Sequence, residues 1–214
     1  NINKITKKKK IIITGGLGYI GTELCKLYSG VSWHHNIVVI DNRFISERVN
    51  QIRNWNMEFV QGDILDKELI RKYCSKADIV HHLAGITSVP RTKNEASIEQ
   101  DKKIKEVGEQ GTQNILDVIS NNCKIIFPST HVVYEGINEV KTNIKENETT
   151  KPVLSYSSSK AVNEDQLKKS GKNFVILRLG SVYGYSTDSM RIDIMPNLFS
   201  KISSQNGTLK LFAG

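Results

Sequence analysis

The residues of this chain that could do chemistry lie in two short stretches, Pro128–Tyr134 and Tyr156–Lys160. In the second, Tyr156 and Lys160 are four residues apart, so on a helix they share one face. To exchange protons near neutral pH, a tyrosine must have its pKa lowered by about 3, which corresponds to about 4 kcal/mol. A nearby ammonium group favours the phenolate, and a hydroxyl from Thr130 would orient a substrate oxygen. Together the three side chains predict a site that removes a proton from an alcohol.

A glycine-rich turn is the second chemical feature. The apolar run Ile11–Ile13 is typical of a buried parallel strand. Helical spacing over 19–27, with Ile20, Leu24 and Leu27 on one face, predicts a helix directly after it. Between strand and helix lie three glycines at a spacing of three: Gly15, Gly18 and Gly21. At such a turn, backbone N–H groups and the helix dipole can hold a diphosphate.

Each glycine has a predicted role. Gly15 permits the tight turn, Gly18 lets the backbone approach the phosphates, and Gly21 lets the helix pack close to the strand. A second apolar strand, Ile37–Ile40, ends at Asp41, which lies 20 residues after Gly21. A carboxylate there accepts both hydroxyls of an adenosine ribose and repels a 2′-phosphate. The sequence therefore predicts a dinucleotide site that prefers NAD to NADP.

The ends of two further predicted strands add candidates to this site. Asp63 follows the strand at 57–60, and we expect it to bind the adenine amino group, with Ile64 against the ring. The alternative role for Asp63 is to cap the helix predicted over 67–75, for which Asp66 is better placed. Small residues after the fourth strand let backbone lie against the cofactor. The remaining candidate cofactor contacts are Tyr19, Ile20, Asn42, Leu83, Ala84 and Gly85.

The elements that must position these residues alternate regularly along the chain. Later strands are predicted at 77–85, 124–127 and 174–179, later helices at 97–121 and 153–170, and a polar loop over the site at 135–151. This order predicts an α/β fold, a Rossmann-type doubly wound parallel sheet with helices on both faces. Right-handed crossovers bring the carboxyl ends of the strands to one edge, where ligands bind.

Composition narrows the function classes. The chain of 214 residues carries a formal charge of +8, but its basic residues are scattered, which argues against a nucleic-acid partner. No stretch has the length of an apolar membrane span, and Lys7–Lys10 is followed by too few apolar residues for a signal peptide. Three widely spaced cysteines and the adjacent His34 and His35 form no metal-ligand pattern. We expect a cytoplasmic protein that binds no metal, membrane or nucleic acid.

As a set, these motifs resemble the extended short-chain dehydrogenase/reductase family, in particular its NAD-dependent nucleotide-sugar epimerases and dehydratases. The matching pieces, in family order, are TGGLGYIG (14–21), Asp41, GDILD (62–66), HLAG (82–85), SVPR (88–91), STHVVY (129–134), YSSSK (156–160) and LRLGSVYG (177–184). The resemblance implies that Thr130, Tyr156 and Lys160 are catalytic and that Lys160 also holds the nicotinamide ribose. Tyr134 sets the register that selects Thr130 rather than Ser129.

The resemblance also implies substrate contacts. Ser88 lies in a stretch similar to that of 4-epimerases acting on UDP-sugars, where it is near the sugar or forms a simple turn. His131 is expected to line the pocket, and Ser181 stands where the family often has an asparagine that touches the substrate phosphate. The 4,6-dehydratases carry an Asp-Glu pair where this chain has His131 and Val132, which argues against a dehydratase. Gly108 replaces a frequent asparagine on the long helix.

The organisation expected from the resemblance has two parts. Residues 1–185 are an NAD-binding Rossmann domain with the catalytic residues, and 186–214 begin a small C-terminal substrate domain, with a helix at 197–203 and a strand at 209–212. The expected function is epimerisation of a nucleotide sugar through a transient ketone. The alternatives are a reductase or dehydrogenase of the same family and a non-catalytic NAD-binding protein. A homodimer through a four-helix bundle, built from 97–121 and 153–170, is also expected.

Overall fold

A six-stranded parallel sheet forms the centre of the molecule. The computed structural model describes residues 7–87, 98–186 and 189–210. The strands are β1 Lys10–Thr14, β2 Asn36–Asp41, β3 Glu58–Gln61, β4 Ile79–His82, β5 Lys124–Thr130 and β6 Asn173–Leu179. Their order is β3-β2-β1-β4-β5-β6, so the direction of winding reverses between β1 and β4. This is the arrangement of the doubly wound fold, and the predicted fold class is confirmed.

Helices cover both faces of the sheet. They are α1 Tyr19–Ser29, α2 Ser46–Asn54, α3 Lys67–Cys74, α4 Ile98–Lys105, α5 Gly111–Val118, α6 Ser155–Lys169 and α7 Met195–Ser204. A π-helical segment, Glu106–Gln110, joins α4 to α5, so the predicted long helix is one helical stretch with a π-turn inside it. The sequence did not predict α2, because only Val49 and Ile52 of its nine residues are buried and its apolar period is weak.

The core lies on both sides of β1, because successive side chains of a strand point to opposite faces. Ile12 packs in the core under α3, α5 and α6, whereas Ile11 and Ile13 pack under α1 and α2. All three side chains are almost fully buried. Burial on both faces is the physical reason for the uninterrupted apolar run at the start of the chain.

The apolar face predicted for α1 is only partly buried, since Leu24 packs against the core beside Ile11 and Ile13 while its neighbours on that face do not. Leu27 is 79% exposed and Ile20 is 36% exposed. The residues that α1 buries fully are Gly21, Thr22 and Cys25. Gly21 decides the orientation, since its Cα lies against the backbone of the glycine turn. Close backbone packing at the glycine therefore overrides the more apolar stripe of the helix.

Two element boundaries differ from expectation. β5 continues past Phe127, and Ser129 and Thr130 pair in register with Arg178 and Leu179 of β6. The two hydroxyl residues therefore lie on a strand and not in a loop after it. The strand predicted at 209–212 does not form over 209–210, and 211–212 lie outside the described residues. The predicted loop at 135–151 has neither helix nor strand.

Candidate active site

Thr130 ends β5 and begins the 3₁₀ turn His131–Tyr134. Its side chain is mostly buried, and its Oγ1 accepts a hydrogen bond from the backbone N–H of Val132 at 3.3 Å. The turn thus holds the hydroxyl oxygen at the end of the strand. Because this oxygen acts as the acceptor for the turn, its own proton can be donated to another group.

Lys160 lies on α6 and reaches under the end of β5. Its Nζ donates to the carbonyl oxygen of Pro128 at 2.8 Å and lies 4.4 Å from the ring centroid of Phe127. The distance from Nζ to the ring centroid of Tyr156 is 5.9 Å. Burial lowers the pKa of Lys160 to about 8. Lys160 therefore releases its proton at a lower pH than an ordinary lysine, in the moderately alkaline range.

Tyr156 lies in the first turn of α6 and is half-buried. Burial raises its pKa, and the positive charge of Arg191 opposes that rise without cancelling it. The lysine was expected to lower this pKa, but its ammonium group is hydrogen-bonded to Pro128. In the protein alone, the phenol is consequently the favoured form of Tyr156. A further positive charge near the ring is needed to favour the phenolate.

Tyr156 and Lys160 line a cavity whose other wall is the exit of β4, at Ala84 and Gly85. The backbone N–H of Ala84 donates to Oγ1 of Thr14 at 3.2 Å, and the N–H of Leu83 donates to the carbonyl oxygen of Thr14 at 3.1 Å. Thr14 directly precedes the glycine turn. Tyr156 and Lys160 therefore lie across the cavity from the exit of β4, and that exit is hydrogen-bonded to the residue before the predicted phosphate-binding turn, whereas Thr130 is not among the residues that line the cavity.

The glycine turn has the geometry of a phosphate cradle. Gly15 has φ +71°, and a Cβ there would lie 2.6 Å from the backbone nitrogen of Ala84. A Cβ on Gly21 would lie 2.3 Å from the carbonyl oxygen of Gly15. At Gly18 the nearest atom, the same carbonyl oxygen, would be 3.2 Å away. Gly15 and Gly21 thus serve packing, while Gly18 leaves open the side on which a diphosphate fits.

Asp41 lies at the end of β2 beside this turn and is buried. Its Oδ2 accepts the N–H of Leu17 at 2.9 Å, and its Oδ1 accepts the N–H and the Nε–H of Arg43 at 3.0 and 3.2 Å. The side chain of Arg43 is 53% exposed. The carboxylate is thus fixed in direction, and an arginine that none of the sequence motifs includes stands beside it.

The two residues predicted to hold the adenine have different surroundings. Asp63 accepts the N–H of Leu65 at 2.9 Å and an amide N–H of Asn42 at 3.1 Å, so its carboxylate stays at the edge of the sheet. The side chain of Ile64 is buried and would lie 2.3 Å from a Cβ placed on Gly111. The structure therefore assigns the Ile64 side chain to the core, which leaves only its backbone for a cofactor.

Asp66, as expected, caps α3. Its Oδ1 accepts the N–H groups of Glu68 and Leu69 at 3.0 and 3.1 Å. These are two of the N–H groups that have no partner within a helix. Asp63 is therefore not required for the cap.

The predicted substrate contacts are only partly described. Ser88, with the rest of SVPR, lies outside the described residues. His131 is exposed, and its Nδ1–H donates to the carbonyl oxygen of Leu179 at 3.1 Å, toward the end of β6. Ser181 is exposed after β6. The structure brings His131 and Ser181 to the catalytic edge through neighbouring strands.

Tyr19 and Ile20 follow the glycine turn in the first turn of α1. The Tyr19 hydroxyl donates to the carbonyl oxygen of Gly184 and accepts an amide N–H of Asn197 at 3.2 Å. Asn197 is buried on α7, and its Oδ1 accepts the N–H of Gly184 at 2.9 Å. The first helix of the glycine turn is therefore tied to the segment that follows β6.

Gly108 explains how the site packs without the frequent asparagine. It lies in the π-helical segment, where a Cβ would be 2.4 Å from Oγ of Ser159. Its carbonyl oxygen accepts the Nδ2–H of Asn163 at 3.0 Å and the hydroxyl of Thr112 at 2.7 Å. π-Turns inside helices often mark functional sites. Here the segment lets α6 approach the long helix closely beside the catalytic residues.

The sequence of this chain matches a known family along almost its whole length. Residues 11–213 match the sequence profile described as the NAD dependent epimerase/dehydratase family. The chain belongs to this family. The glycine turn and the Tyr156–Lys160 pair both lie within the range that matches the epimerase/dehydratase family.

Individual relatives differ in their reactions. The chain is 30% identical over 197 residues to a dTDP-D-glucose 4,6-dehydratase of Dictyostelium discoideum, covering 82% of this chain and 44% of the relative. It is 31% identical over 187 residues to a putative UDP-glucose 4-epimerase of Methanocaldococcus jannaschii, covering 83% and 57%. The chain thus spans about half the length of these curated relatives.

A solved structure gives the same picture of the epimerase/dehydratase fold. The UDP-glucuronic acid 4-epimerase of Bacillus cereus, in complex with UDP-glucuronic acid and NAD, superposes with a TM-score of 0.73 at 25% identity. The match covers 95% of this chain and 65% of that structure.

The described ranges contain no group of three or more His, Cys, Asp or Glu residues suited to a metal ion. None of the described helices combines the length and apolar character needed to cross a membrane. A depression of about 390 Å³ lies at the amino ends of β1, β2 and β3, lined in part by Lys8, His35, Arg53 and Glu58. It lies at the edge of the sheet opposite to Tyr156, so it is not part of the catalytic constellation.

Sequence reasoning missed several residues that build this site. Glu164 and Arg178 form a bidentate ion pair beneath β5, and Glu135 accepts the N–H groups of Val153 and Leu154 just before α6. A signal for Glu164 was present, because it follows Lys160 at the same spacing of four that separates Lys160 from Tyr156. No such spacing signal indicated the contacts of Arg178 and Glu135, because the partners of these residues are distant in sequence.

Proposed function

We propose that the protein is an NAD-dependent epimerase that acts on a nucleotide sugar through a transient ketone. The observation that carries this proposal is the shared cavity, in which Tyr156 and Lys160 face the exit of β4 beside the glycine turn. A bound NAD would supply hydride transfer to and from a carbinol carbon of the sugar. Gly15, Gly18 and Gly21 with Asp41 would hold it, and the open side of Gly18 fits its diphosphate.

The side chains have separate tasks in the proposed reaction. The Tyr156 phenolate removes the proton of the sugar hydroxyl, and the Thr130 hydroxyl donates a hydrogen bond to the same oxygen. Burial raises the pKa of Tyr156 in the protein alone, so the proton is released only when cationic charge is added nearby. Lys160 supports the end of β5 through the carbonyl oxygen of Pro128, and Arg191 supplies the positive charge that opposes the rise in the Tyr156 pKa.

Epimerisation is favoured over elimination by the residues after Thr130. A dehydratase needs an acid and a base at the two positions after this threonine. This chain has His131 and Val132 at those positions, and the His131 ring donates a hydrogen bond to the carbonyl oxygen of Leu179. A net reductase or dehydrogenase would use the same catalytic residues and remains the second candidate function.

A turnover assay tests the proposal. Full-length protein is incubated with NAD and a panel of UDP-, dTDP-, GDP- and CDP-sugars, and the products are separated and assigned by NMR. We expect an epimer to form without net accumulation of reduced nicotinamide. Stoichiometric reduced nicotinamide would instead support the dehydrogenase, and NAD binding without turnover of any sugar would support the non-catalytic alternative.

Cofactor preference is proposed from Asp41. Its buried carboxylate would repel a 2′-phosphate, although Arg43 beside it offsets part of that repulsion. We expect NAD to raise the melting temperature of the protein more than NADP at equal concentration. A larger shift with NADP would overturn the assignment and point to Arg43 as a phosphate ligand.

We also propose the domain organisation, the oligomeric state and the cellular compartment of the protein. Residues 1–185 would form the NAD-binding domain and 186–214 the beginning of a substrate domain, in which α7 contributes Asn197. A homodimer through α4, α5 and α6 is tested by light scattering after size-exclusion chromatography. Three buried free thiols, on Cys25, Cys74 and Cys123, support a reducing, cytoplasmic compartment.

A further inference from the structure

Glu164 is a buried carboxylate outside the catalytic cavity. Its side chain is 1% exposed, and it is not among the residues that line the cavity of Tyr156 and Lys160. It lies one helical turn beyond Lys160 and two turns beyond Tyr156, on the same face of α6. A buried charge requires compensating partners, so the groups that surround it indicate what it holds in place.

The partners of Glu164 come from the ends of two neighbouring strands. Ser129 donates to its Oε1 at 2.6 Å, and Arg178 donates to Oε1 and Oε2 at 2.9 and 2.6 Å. Ser129 and Arg178 are paired in register across β5 and β6. Lys168, on the next turn of α6, lies 3.4 Å from Oε2. Burial would raise the pKa of Glu164, but these hydrogen bonds and charges outweigh it and lower the pKa.

Two side chains of α6 therefore bind the end of β5. Lys160 binds the carbonyl oxygen of Pro128, and Glu164 binds the hydroxyl of Ser129. Four residues of an α-helix rise by about 6 Å. Together with the hydrogen bond of Asn163 to Gly108, these two contacts a turn apart fix the direction of α6. They hold the helix that carries Tyr156 against the strand that ends at Thr130.

The far side of Arg178 extends the same network to the loop before α6. Its Nη1 donates to the hydroxyl oxygen of Tyr134 and, at 2.9 Å, to the carbonyl oxygen of Glu146. The Tyr134 hydroxyl donates to the carbonyl oxygen of Lys145 at 3.2 Å. One ion pair thus connects the helix, two strands, the 3₁₀ turn after Thr130 and the loop that leads to Tyr156.

We propose that Glu164 is a positioning residue, which acts through Ser129 and Arg178 to hold the Thr130 hydroxyl in line with the Tyr156 phenol. The proposal rests on the function proposed above, in which these two hydroxyls address one substrate oxygen. Catalysis is sensitive to such alignment, since a displacement of about 1 Å can cost about 100-fold in rate.

The test uses two substitutions with matched controls in the full-length protein. Ser129→Ala removes one hydrogen bond to Glu164 without leaving a charge unpaired, and Glu164→Gln removes the charge itself. Ser170→Ala is the control for Ser129→Ala, because the Ser170 hydroxyl donates a hydrogen bond to the carbonyl oxygen of Leu167 at the far end of α6. Asp165→Asn is the control for the second, since Asp165 is exposed.

The readouts separate positioning from folding. We expect kcat to fall about 10-fold in Ser129→Ala and about 100-fold in Glu164→Gln. The KM for the sugar nucleotide and the dissociation constant for NAD should stay within about twofold, because neither side chain lines the cavity. The methyl resonance of Thr130, assigned by its loss in Thr130→Ser, should shift in both variants and in neither control.

An unchanged kcat in folded Ser129→Ala, or an unmoved Thr130 methyl resonance, would overturn the proposal. Equal losses in kcat, NAD affinity and melting temperature would show that Glu164 has only a structural role, and this result would also overturn the proposal. If Glu164→Gln does not fold, Ser129→Ala decides alone. If the unsubstituted protein turns over no sugar nucleotide, the proposed function fails, while the Thr130 resonance still decides the role of Glu164.

Discussion

At the scale of single residues, protonation at Tyr156 depends on what surrounds it. Its ring is half-buried, and burial raises the pKa of the phenol despite the charge of Arg191. The ammonium group of Lys160 is bound to Pro128, and burial lowers its pKa to about 8. In the protein alone, burial thus favours the neutral phenol at Tyr156 and weakens the hold of Lys160 on its proton.

Tyr156→Phe removes the hydroxyl that we propose takes the substrate proton. We expect kcat to fall by about 10³-fold, within the range for loss of a general acid–base group. NAD affinity and melting temperature should change little, because the ring is retained. Steady-state assay and calorimetry measure these quantities. Tyr73→Phe, on α3, is the control, and an active Tyr156→Phe enzyme would contradict the assigned role.

At the scale of elements, the strand-to-helix turn after β1 combines two kinds of glycine. Gly15 and Gly21 are required for packing, since a Cβ on either would overlap backbone atoms. A Cβ on Gly18 would come only as near as 3.2 Å to the carbonyl oxygen of Gly15, a tight contact without overlap. The same turn thus contains positions that stabilise the fold and one that leaves room for a ligand, and substitution can separate the two.

Gly15→Ala and Gly18→Ala should have opposite consequences. Gly15→Ala introduces a left-handed alanine and an overlap with Ala84, and we expect it to lower the free energy of unfolding by more than about 3 kcal/mol. Gly18→Ala should leave that free energy within about 1 kcal/mol and weaken NAD binding at least about 10-fold. Denaturant titration and calorimetry measure the two effects.

Gly171→Ala is the control for backbone conformation. Gly171 has φ +66°, and a Cβ added to it would meet no atom within 4 Å, so it isolates the cost of a left-handed alanine, about 1 kcal/mol. If Gly15→Ala costs no more than Gly171→Ala, the close contact with Ala84 does not matter for stability.

At the scale of the whole molecule, two adjacent histidines on β4 link the layers on either side of the sheet. On the side of α1, Nε2 of His81 is hydrogen-bonded to the Tyr28 hydroxyl at 2.8 Å. On the other side, His82 lies between Thr14 and Thr112, at 2.9 and 3.0 Å. Burial lowers the pKa of His81 to about 4, and burial with the charge of Lys160 lowers that of His82 to about 3. Both imidazoles are therefore neutral in the folded protein.

These histidines predict a loss of stability in weak acid. Their pKa values are lower in the folded than in the unfolded protein, so the unfolded chain binds more protons as the pH falls below about 6.5. Between pH 7 and pH 5 each histidine should lower the free energy of unfolding by about 2 kcal/mol. Denaturant titration at both pH values measures the total.

His81→Gln should remove about half of this pH dependence. His34→Gln, at an exposed position, should leave it unchanged. Equal stability of the unsubstituted protein at pH 7 and pH 5 would show that the buried imidazoles do not control it.

Local spacing alone was sufficient to predict the parallel sheet, the strand-to-helix turn at the glycines, the place of Asp41 at the end of a strand, and Tyr156 and Lys160 on one helix. Each of these is written in residues near one another in sequence, where apolar period and glycine spacing reflect backbone geometry directly. The cap at Asp66 followed in the same way. The apolar stripe of α1 did not indicate which face of the helix is most buried, because close backbone packing at Gly21 leaves no trace in apolar spacing.

Only the tertiary structure decided which groups surround these residues. The Lys160 ammonium binds Pro128, Asp41 binds Arg43, and Ile64 packs into the core, and none of these choices follows from spacing. Glu164 meets Ser129 because α6 crosses the end of β5, a contact between residues 35 positions apart. Long-range contacts of this kind depend on how the helices and strands pack together. Local sequence determined which elements form, while packing determined the protonation and alignment of the groups they carry.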